Sequence, residues 1–173
     1  MTRDGSTDLS NVMRAAAVVL LAGACLAGTA EAGPREQAKL IHDRIAGVPP
    51  SAATLDAMAA DIGAGRARDA ALLAMEHPAF YSVTLKNLAM PWTNRDRTVF
   101  APLNDYVATF IGMVRDDVPM NELLSADILY VGSGVAGVPA PSASSNAQFE
   151  ELERRHADLK AVLVRRTQSA TYG

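Results

Sequence analysis

The sequence predicts an all-α protein, a small irregular helical bundle that follows an N-terminal signal peptide. Three observations indicate this fold class. Large apolar residues recur at spacings of three and four along several segments, which is the period of a helix with one buried face. Proline and glycine residues separate these segments. The run that favours an extended strand is brief, from Ile128 to Val131.

Composition limits the classes of function. The chain has 173 residues, which suits one domain. Its formal net charge is -3 and its pI is near 5.6, whereas a nucleic-acid-binding domain typically has a basic patch and a high pI. We therefore expect no nucleic-acid partner. Aromatic residues make up only 5% of the chain and alanine is abundant, so the predicted core is thin.

The N-terminal segment has the pattern of a secretory signal. Residues 15–30 are apolar and uncharged, Arg14 precedes them, and an Ala-Glu-Ala site ends at Ala32. The apolar run is shorter than the roughly 20 residues that a spanning helix needs. We predict a signal peptide over 1–32 and a periplasmic or secreted product. Met13 is an alternative start, because the residues before it are polar and include two aspartates.

Cys25 leaves a second interpretation of this segment open. It follows Leu-Ala-Gly-Ala, which loosely fits a lipoprotein box, and a lipid on Cys25 would tether the protein to a membrane. An uncleaved anchor is the third alternative. We favour cleavage after Ala32, so membrane association is expected only with lipidation or an uncleaved signal. Cleavage leaves a mature chain without cysteine, which excludes disulfides and covalent haem attachment within it.

Three helices are predicted in close succession after the signal. The first begins with Pro34, which is tolerated early in a helix, and Gly47 ends it. Ser51 is placed to cap the second helix. The third helix runs from Arg66 to Glu76 and is rich in alanine.

The middle of the chain predicts three more helical segments. A fourth helix begins at Pro78 and ends at Pro91, and a polar loop over 92–101 follows it. A fifth begins near Pro102. Its apolar stripe is the clearest in the chain: Leu103, Val107, Phe110, Ile111 and Val114. Asp116 and Asp117 come after it, and we interpret them as caps of a short sixth helix.

The last part of the chain predicts a linker and a terminal helix. Residues 132–146 are mainly small residues, proline and valine without periodicity, which is typical of a flexible linker between a helical domain over 33–131 and a C-terminal amphipathic helix within 147–173. This helix is predicted from about Ala147 to Thr167. Its stripe consists of Phe149, Leu152, His156, Leu159 and Leu163. The stripe needs a covering surface, which indicates a protein partner or a longer region that begins here.

Three short stretches of the chain carry a resemblance: residues 44–51, residues 77–81 and residues 117–127. In this order they resemble motifs of exported planctomycete-type cytochrome-c-associated proteins. The resemblance spans about 37–131 and implies an exported, helix-rich chain that is the N-terminal part of something longer. Haem motifs often occur elsewhere in those longer proteins. This sequence has no Cys-x-x-Cys-His motif, so the resemblance assigns no haem ligand to a residue here.

The three histidines are candidate metal ligands without a spacing that requires such a role. His42-Asp43 is similar to half of a metal-dependent hydrolase signature, and His77 and His156 could complete a set. We favour structural roles: His42 on a helix surface, His77 before a proline turn and His156 over an apolar seam. Gly132-Ser133-Gly134 lacks the pattern of a nucleophile elbow. The sequence identifies no catalytic constellation and no cofactor, and whether the chain is an enzyme stays open.

The polar stretch after Pro91 is the candidate interaction site. Trp92, Asn94 and Arg95 could contact a sugar or a protein partner. The alternative, which we favour, is that Trp92 fills the thin core while its polar neighbours face water. We therefore expect an exported helical module, a non-catalytic interaction or scaffold region of a larger periplasmic protein. The alternative expectation is an accessory domain of a haem- or metal-linked periplasmic redox protein.

Overall fold

Helices dominate residues 32–173, the part of the chain that this computed structural model describes. The mainly helical fold class is confirmed, with a two-stranded antiparallel sheet in addition. The α-helices are α1 (Pro34–Ala46), α2 (Ala52–Gly63), α3 (Ala67–Met75), α4 (Lys86–Ala89), α5 (Asp105–Arg115), α6 (Ala147–Arg154), α7 (Leu159–Val162) and α8 (Gln168–Tyr172). The strands are β1 (Leu129–Gly132) and β2 (Leu163–Arg166). The predicted signal peptide, including Cys25, lies outside the described residues except for its last position.

Helices α1, α2 and α3 form where the sequence predicts helices, and they pack against one another. The Ser51 hydroxyl accepts a hydrogen bond from the backbone N–H of Thr54 at 3.1 Å and so caps α2. Gly47 has a φ of 74° and ends α1. The buried residues between the three helices are Ala38, Met58, Ala70 and Ala74. Three of these four are alanine, and the larger side chains that pack against them, such as Ile41, Leu55 and Leu73, are only partly buried.

The predicted fourth helix is divided into three kinds of helical turn. A π-helical turn covers Phe80–Leu85, α4 follows directly, and a 3₁₀ turn covers Met90–Trp92. Tyr81, Leu85 and Ala89 are buried along these turns, whereas Leu88 is 53% exposed.

Helix α5 lies at the centre of the larger core. Asn104 caps it by accepting from the N–H of Val107 at 3.0 Å. The helix contacts β1, β2, α7, α4 and the π-helical turn. Ala108 and Met113 are buried together with the predicted stripe, except for Val114, which is only partly buried. Gly112 lets the ring of Tyr130 lie directly on the helix, because a Cβ at this position would stand 2.1 Å from Cδ1 of that ring.

The prediction of one helix from Ala147 to Thr167 is wrong. Helix α6 ends at Arg154, and His156 turns the chain with a left-handed φ of 50°. Asp158 then caps the short α7, and β2 pairs with β1 in the register Leu129↔Arg166 to Gly132↔Leu163. The mix of valine and arginine over 162–166 suits a half-buried strand, because the backbone groups of β1 supply its hydrogen-bond partners.

The apolar stripe of residues 147–167 packs into the protein's own core. It therefore needs no protein partner to cover it, which was our reason for predicting one. Phe149, Leu152, Leu159 and Leu163 are all at most 4% exposed and share a cluster with Tyr130. His156, in contrast, is exposed. The intervening segment over 133–146 has no regular secondary structure, but it is held to α6 by a hydrogen bond from the Gln148 amide to the Pro139 carbonyl at 3.0 Å. Residues on both sides of the predicted linker therefore build one core.

Asp116 does not cap a following helix as predicted, and the predicted sixth helix is only a 3₁₀ turn over Met120–Glu122. The Asp116 carboxylate instead accepts hydrogen bonds from the Arg115 guanidinium at 2.7 Å and from the Tyr130 hydroxyl at 2.7 Å. Arg115 also donates to the carbonyls of Lys160 and Leu163, at 2.9 and 2.6 Å. The guanidinium holds the pKa of Asp116 below its ordinary value. This network joins the end of α5 to the C-terminal segment.

Candidate functional site

A pocket of about 520 Å³ opens between the π-helical turn and the segment that joins α6 to α7. We call it the π-turn pocket. Its apolar lining residues are Pro78, Ala79, Val83, Leu103, Ala157 and Leu159. Its polar lining residues are Ser82, Lys86, Asn87, Glu153, His156 and Asp158. A volume of this size with mostly apolar walls and a few polar groups is typical of small-molecule sites.

Two irregular pieces of backbone create this pocket. The π-helical turn over Phe80–Leu85 places Ser82 and Val83 on one wall. The turn at His156, with its φ of 50°, ends α6 and places Ala157 and Asp158 on the other. Single π turns and left-handed non-glycine residues are both frequent at functional sites.

An ion pair fixes the floor of the π-turn pocket. The Lys86 ammonium donates to Oε1 of Glu153, and the Lys86 side chain is only 12% exposed. Oε2 of Glu153 accepts from the backbone N–H of Leu103 at 2.8 Å. The two residues lie on α4 and α6, so the pair holds the two walls together. Its charges cancel, and both carboxylate oxygens already have donors.

The remaining polar groups of the pocket do not form a catalytic triad. Ser82, His156 and Asp158 are the residue types of such a triad, but Asp158 caps α7 by accepting from the N–H of Lys160 at 3.0 Å. The Ser82 hydroxyl accepts from the N–H of Leu159 at 3.5 Å. Among residues 32–173, no hydrogen bond joins His156 to either residue, although nucleophilic catalysis depends on such contacts.

The structure separates the three residues of the predicted interaction site. Trp92 is 58% exposed, so our favoured interpretation that it fills the core is wrong. Asn94 is occupied inside its own loop: its amide donates to the carbonyls of Met90 and Thr98, at 2.7 and 2.9 Å. Arg95 is exposed beside it. Trp92 and Arg95 thus face solvent, while Asn94 shapes the loop that presents them.

Trp92 lies over a shallow groove with a second exposed apolar residue. The groove is lined by Trp92, Thr93, Asn104, Asp105, Tyr106 and Leu124. The Leu124 residue is 85% exposed. The ring of Trp92 meets Phe110 edge to face, with 5.5 Å between the ring centroids, and this contact fixes its orientation. We call this surface the Trp92 face.

The structure brings two of the three histidines together and places the third elsewhere. His42 is 1% exposed, not on a helix surface as predicted, and its Nδ1 lies 2.8 Å from the carbonyl of Val48. Its ring meets that of His77 edge to face at 5.5 Å. His156 lines the π-turn pocket. Within the described part of the chain, no three His, Cys, Asp or Glu side chains form a group that could hold a metal ion.

Sequence reasoning did not single out Lys86 and Glu153, the charged pair of the π-turn pocket. The two positions are far apart in the chain, and Glu153 stands in a segment where Glu and Arg are frequent. Both residues look like ordinary helix-surface charges. Only the fold of α6 against the π-helical turn brings them into contact, so no pattern in the sequence indicates the pair.

Comparison with family models, with curated proteins and with solved structures finds no match for this chain. The resemblance to cytochrome-c-associated proteins, and the accessory redox role that it implies, therefore stay predictions. No helix over residues 32–173 is both long enough and apolar enough to cross a membrane.

Proposed function

We propose that this protein is an exported, non-catalytic interaction module that binds another protein through its Trp92 face. The observation that carries the proposal is that Trp92 and Leu124, both mostly exposed, lie on one groove. Tryptophan is enriched among the residues that contribute most to binding at protein interfaces. An apolar centre that a partner could cover is what an interaction module requires.

The surroundings of the Trp92 face fit the anatomy of an interface. Phe100, in the loop that follows Trp92, is 90% exposed and adds apolar surface to the same loop. The charged residues Arg95, Asp96 and Arg97 are exposed in that loop. Interfaces commonly combine an apolar centre with a polar rim. Since Asn94 fixes the loop by hydrogen bonds, little order has to be gained on binding.

Site-specific crosslinking in the producing cells tests the partner. A photo-crosslinking residue in place of Leu124 is expected to yield an adduct of one defined mass, and Trp92→Ala is expected to abolish that adduct. The matched control is the same crosslinker at Leu72, which is 48% exposed on α3, away from the groove. No Leu124 adduct, or an adduct that Trp92→Ala leaves unchanged, would overturn the proposal.

Mass spectrometry of the mature N-terminus tests the export that the proposal includes. The signal pattern that ends at Ala32 supports a product that starts at Gly33 and is recovered outside the cytoplasm. A lipid-modified Cys25 at the N-terminus would move the module to a membrane surface. Full-length protein recovered only from the cytoplasm would contradict export.

A further inference from the structure

We infer that the π-turn pocket is a second binding site, which takes a small, electrically neutral and mostly apolar molecule. Its volume of about 520 Å³ lies within the range of small-molecule sites, roughly 300 to 1,000 Å³. Apolar side chains from three parts of the chain line it: Val83 on the π-helical turn, Leu103 before α5, and Leu159 on α7. An apolar ligand body would leave water and contact these walls.

The charges of the pocket favour a neutral ligand over an anionic one. The ammonium of Lys86 and the carboxylate of Glu153 neutralise each other, and the second oxygen of Glu153 accepts from Leu103. An anionic ligand would lose hydration on entry without meeting a free positive charge. Asp158 also lines the pocket, and its negative charge opposes anions further.

Three further polar groups define where a ligand would make its hydrogen bonds. The Asn87 amide and the His156 ring line the pocket and have no hydrogen-bond partner among residues 32–173. The Ser82 hydroxyl, which only accepts from Leu159, still has its own proton to donate. A ligand with one or two hydroxyl or carbonyl oxygens on an apolar body matches this arrangement.

This inference does not depend on the Trp92 face, because the two sites share no lining residue. A failure of one proposal can therefore be distinguished from a failure of the other. Variants in the pocket are expected to leave the Leu124 crosslink unchanged, and Trp92→Ala is expected to leave ligand binding in the pocket unchanged.

Two fluorescent probes of similar skeleton and different charge test the inference. N-phenyl-1-naphthylamine is neutral, and 8-anilino-1-naphthalenesulfonate adds one negative charge. We expect the purified protein to bind the neutral probe with one-to-one stoichiometry and at least about tenfold more tightly than the sulfonate. Equal or tighter binding of the sulfonate, or no saturable binding of the neutral probe, would overturn the inference.

A charge variant locates the probe beside the ion pair. Glu153→Gln keeps an oxygen for the N–H of Leu103 and leaves the Lys86 ammonium unpaired. The affinity for the sulfonate is then expected to rise by about tenfold, while that for the neutral probe changes by less than about threefold. An unchanged ratio of the two affinities would place the probes elsewhere and contradict the inference.

A filling variant tests the same site without touching the charges. Val83 is 38% exposed on the wall of the pocket, so Val83→Trp is expected to fill the opening and abolish binding of the neutral probe. Leu72→Trp is the matched control, because it adds the same ring at an exposed position outside the pocket. Circular dichroism shows whether both variants remain folded. Unaltered binding by folded Val83→Trp would refute the assignment.

Discussion

The N-terminal helices α1 to α3 and the larger core around α5 are built on different principles. The first region joins neighbouring helices through small residues, with Met58 as the largest fully buried side chain between them. The second joins distant segments through large residues, among them Tyr130 and Phe149. Because stabilisation grows with the apolar area buried, about 25 cal/mol per Å², we expect the second region to hold most of the stability.

The two regions also differ in where their backbone polar groups find hydrogen-bond partners. In the first region, caps such as Ser51 satisfy backbone groups within a few residues. The second region has local caps as well, such as Asn104, but there Arg115 also donates to the carbonyls of Lys160 and Leu163, which lie far along the chain. Local opening is therefore expected to occur first in α1 to α3, with the larger core opening only on global unfolding. Four experiments test this contrast.

Gly112→Ala is expected to have the largest effect. The new Cβ would stand 2.1 Å from the buried ring of Tyr130, so α5 and β1 must separate. We expect a loss of at least about 4 kcal/mol in the free energy of unfolding, measured by chemical denaturation. The control is Gly63→Ala in α2, whose Cβ meets only Pro34 at 4.0 Å and is expected to change stability by less than about 1 kcal/mol.

Leu152→Ala and Met58→Ala compare the two cores directly. Both side chains are 0% exposed, and truncation of such residues costs about 2 to 5 kcal/mol. We expect Leu152→Ala to reduce hydrogen-exchange protection in the larger core, including the amides of α5. Met58→Ala is expected to reduce it in α1 to α3 while the amides of α5 keep theirs. Uniform loss of protection in both variants would show that the two regions unfold as one unit.

Alkaline titration is expected to weaken the larger core through Tyr130. Burial, together with its hydrogen bond to Asp116, raises the pKa of Tyr130 from 10.0 to about 12. Between these values the folded protein keeps a proton that the unfolded chain has lost, so stability falls as pH rises. The stabilisation is complete below pH 10 and its loss reaches about 2 to 3 kcal/mol near pH 12. Denaturation of Tyr130→Phe over the same range should show a smaller slope.

Ser51→Ala is expected to have the smallest effect, confined to the N-terminal helices. Loss of the hydrogen bond to the N–H of Thr54 removes the cap of α2, which costs about 1 kcal/mol. Thr167→Ala is the control, because Thr167 precedes α8 without a side-chain capping bond. Thermal unfolding of the two variants should differ, with Thr167→Ala close to the parent protein.

The same contrast explains how much of the fold could be predicted from the sequence. Pro34, Gly47 and Ser51 act within their own helices, and their positions predict the first two helices correctly. The pairing of β1 with β2 depends on segments more than thirty residues apart, as in Leu129↔Arg166. The stripe through 147–167 fits a helix locally, and the actual strand forms there because β1 supplies its hydrogen-bond partners.

The candidate sites, too, could be predicted from the sequence only where local residues determine them. The polar neighbours of Trp92 indicate a candidate interaction residue, while the scarcity of aromatic residues favours a place in the core, and its 58% exposure contradicts the favoured interpretation. Asn94 was grouped with it, but its hydrogen bonds within the loop give it a structural role. The π-turn pocket has no sequence signature, because a π-helical turn at Phe80–Leu85 and the turn at His156 are both determined by packing.

The close fit of Gly112 and Tyr130 also concerns the ancestry of this chain. A lineage that gains a β-carbon at position 112 has no room for an aromatic ring at position 130. Relatives that keep an aromatic ring at position 130 should therefore keep glycine at position 112.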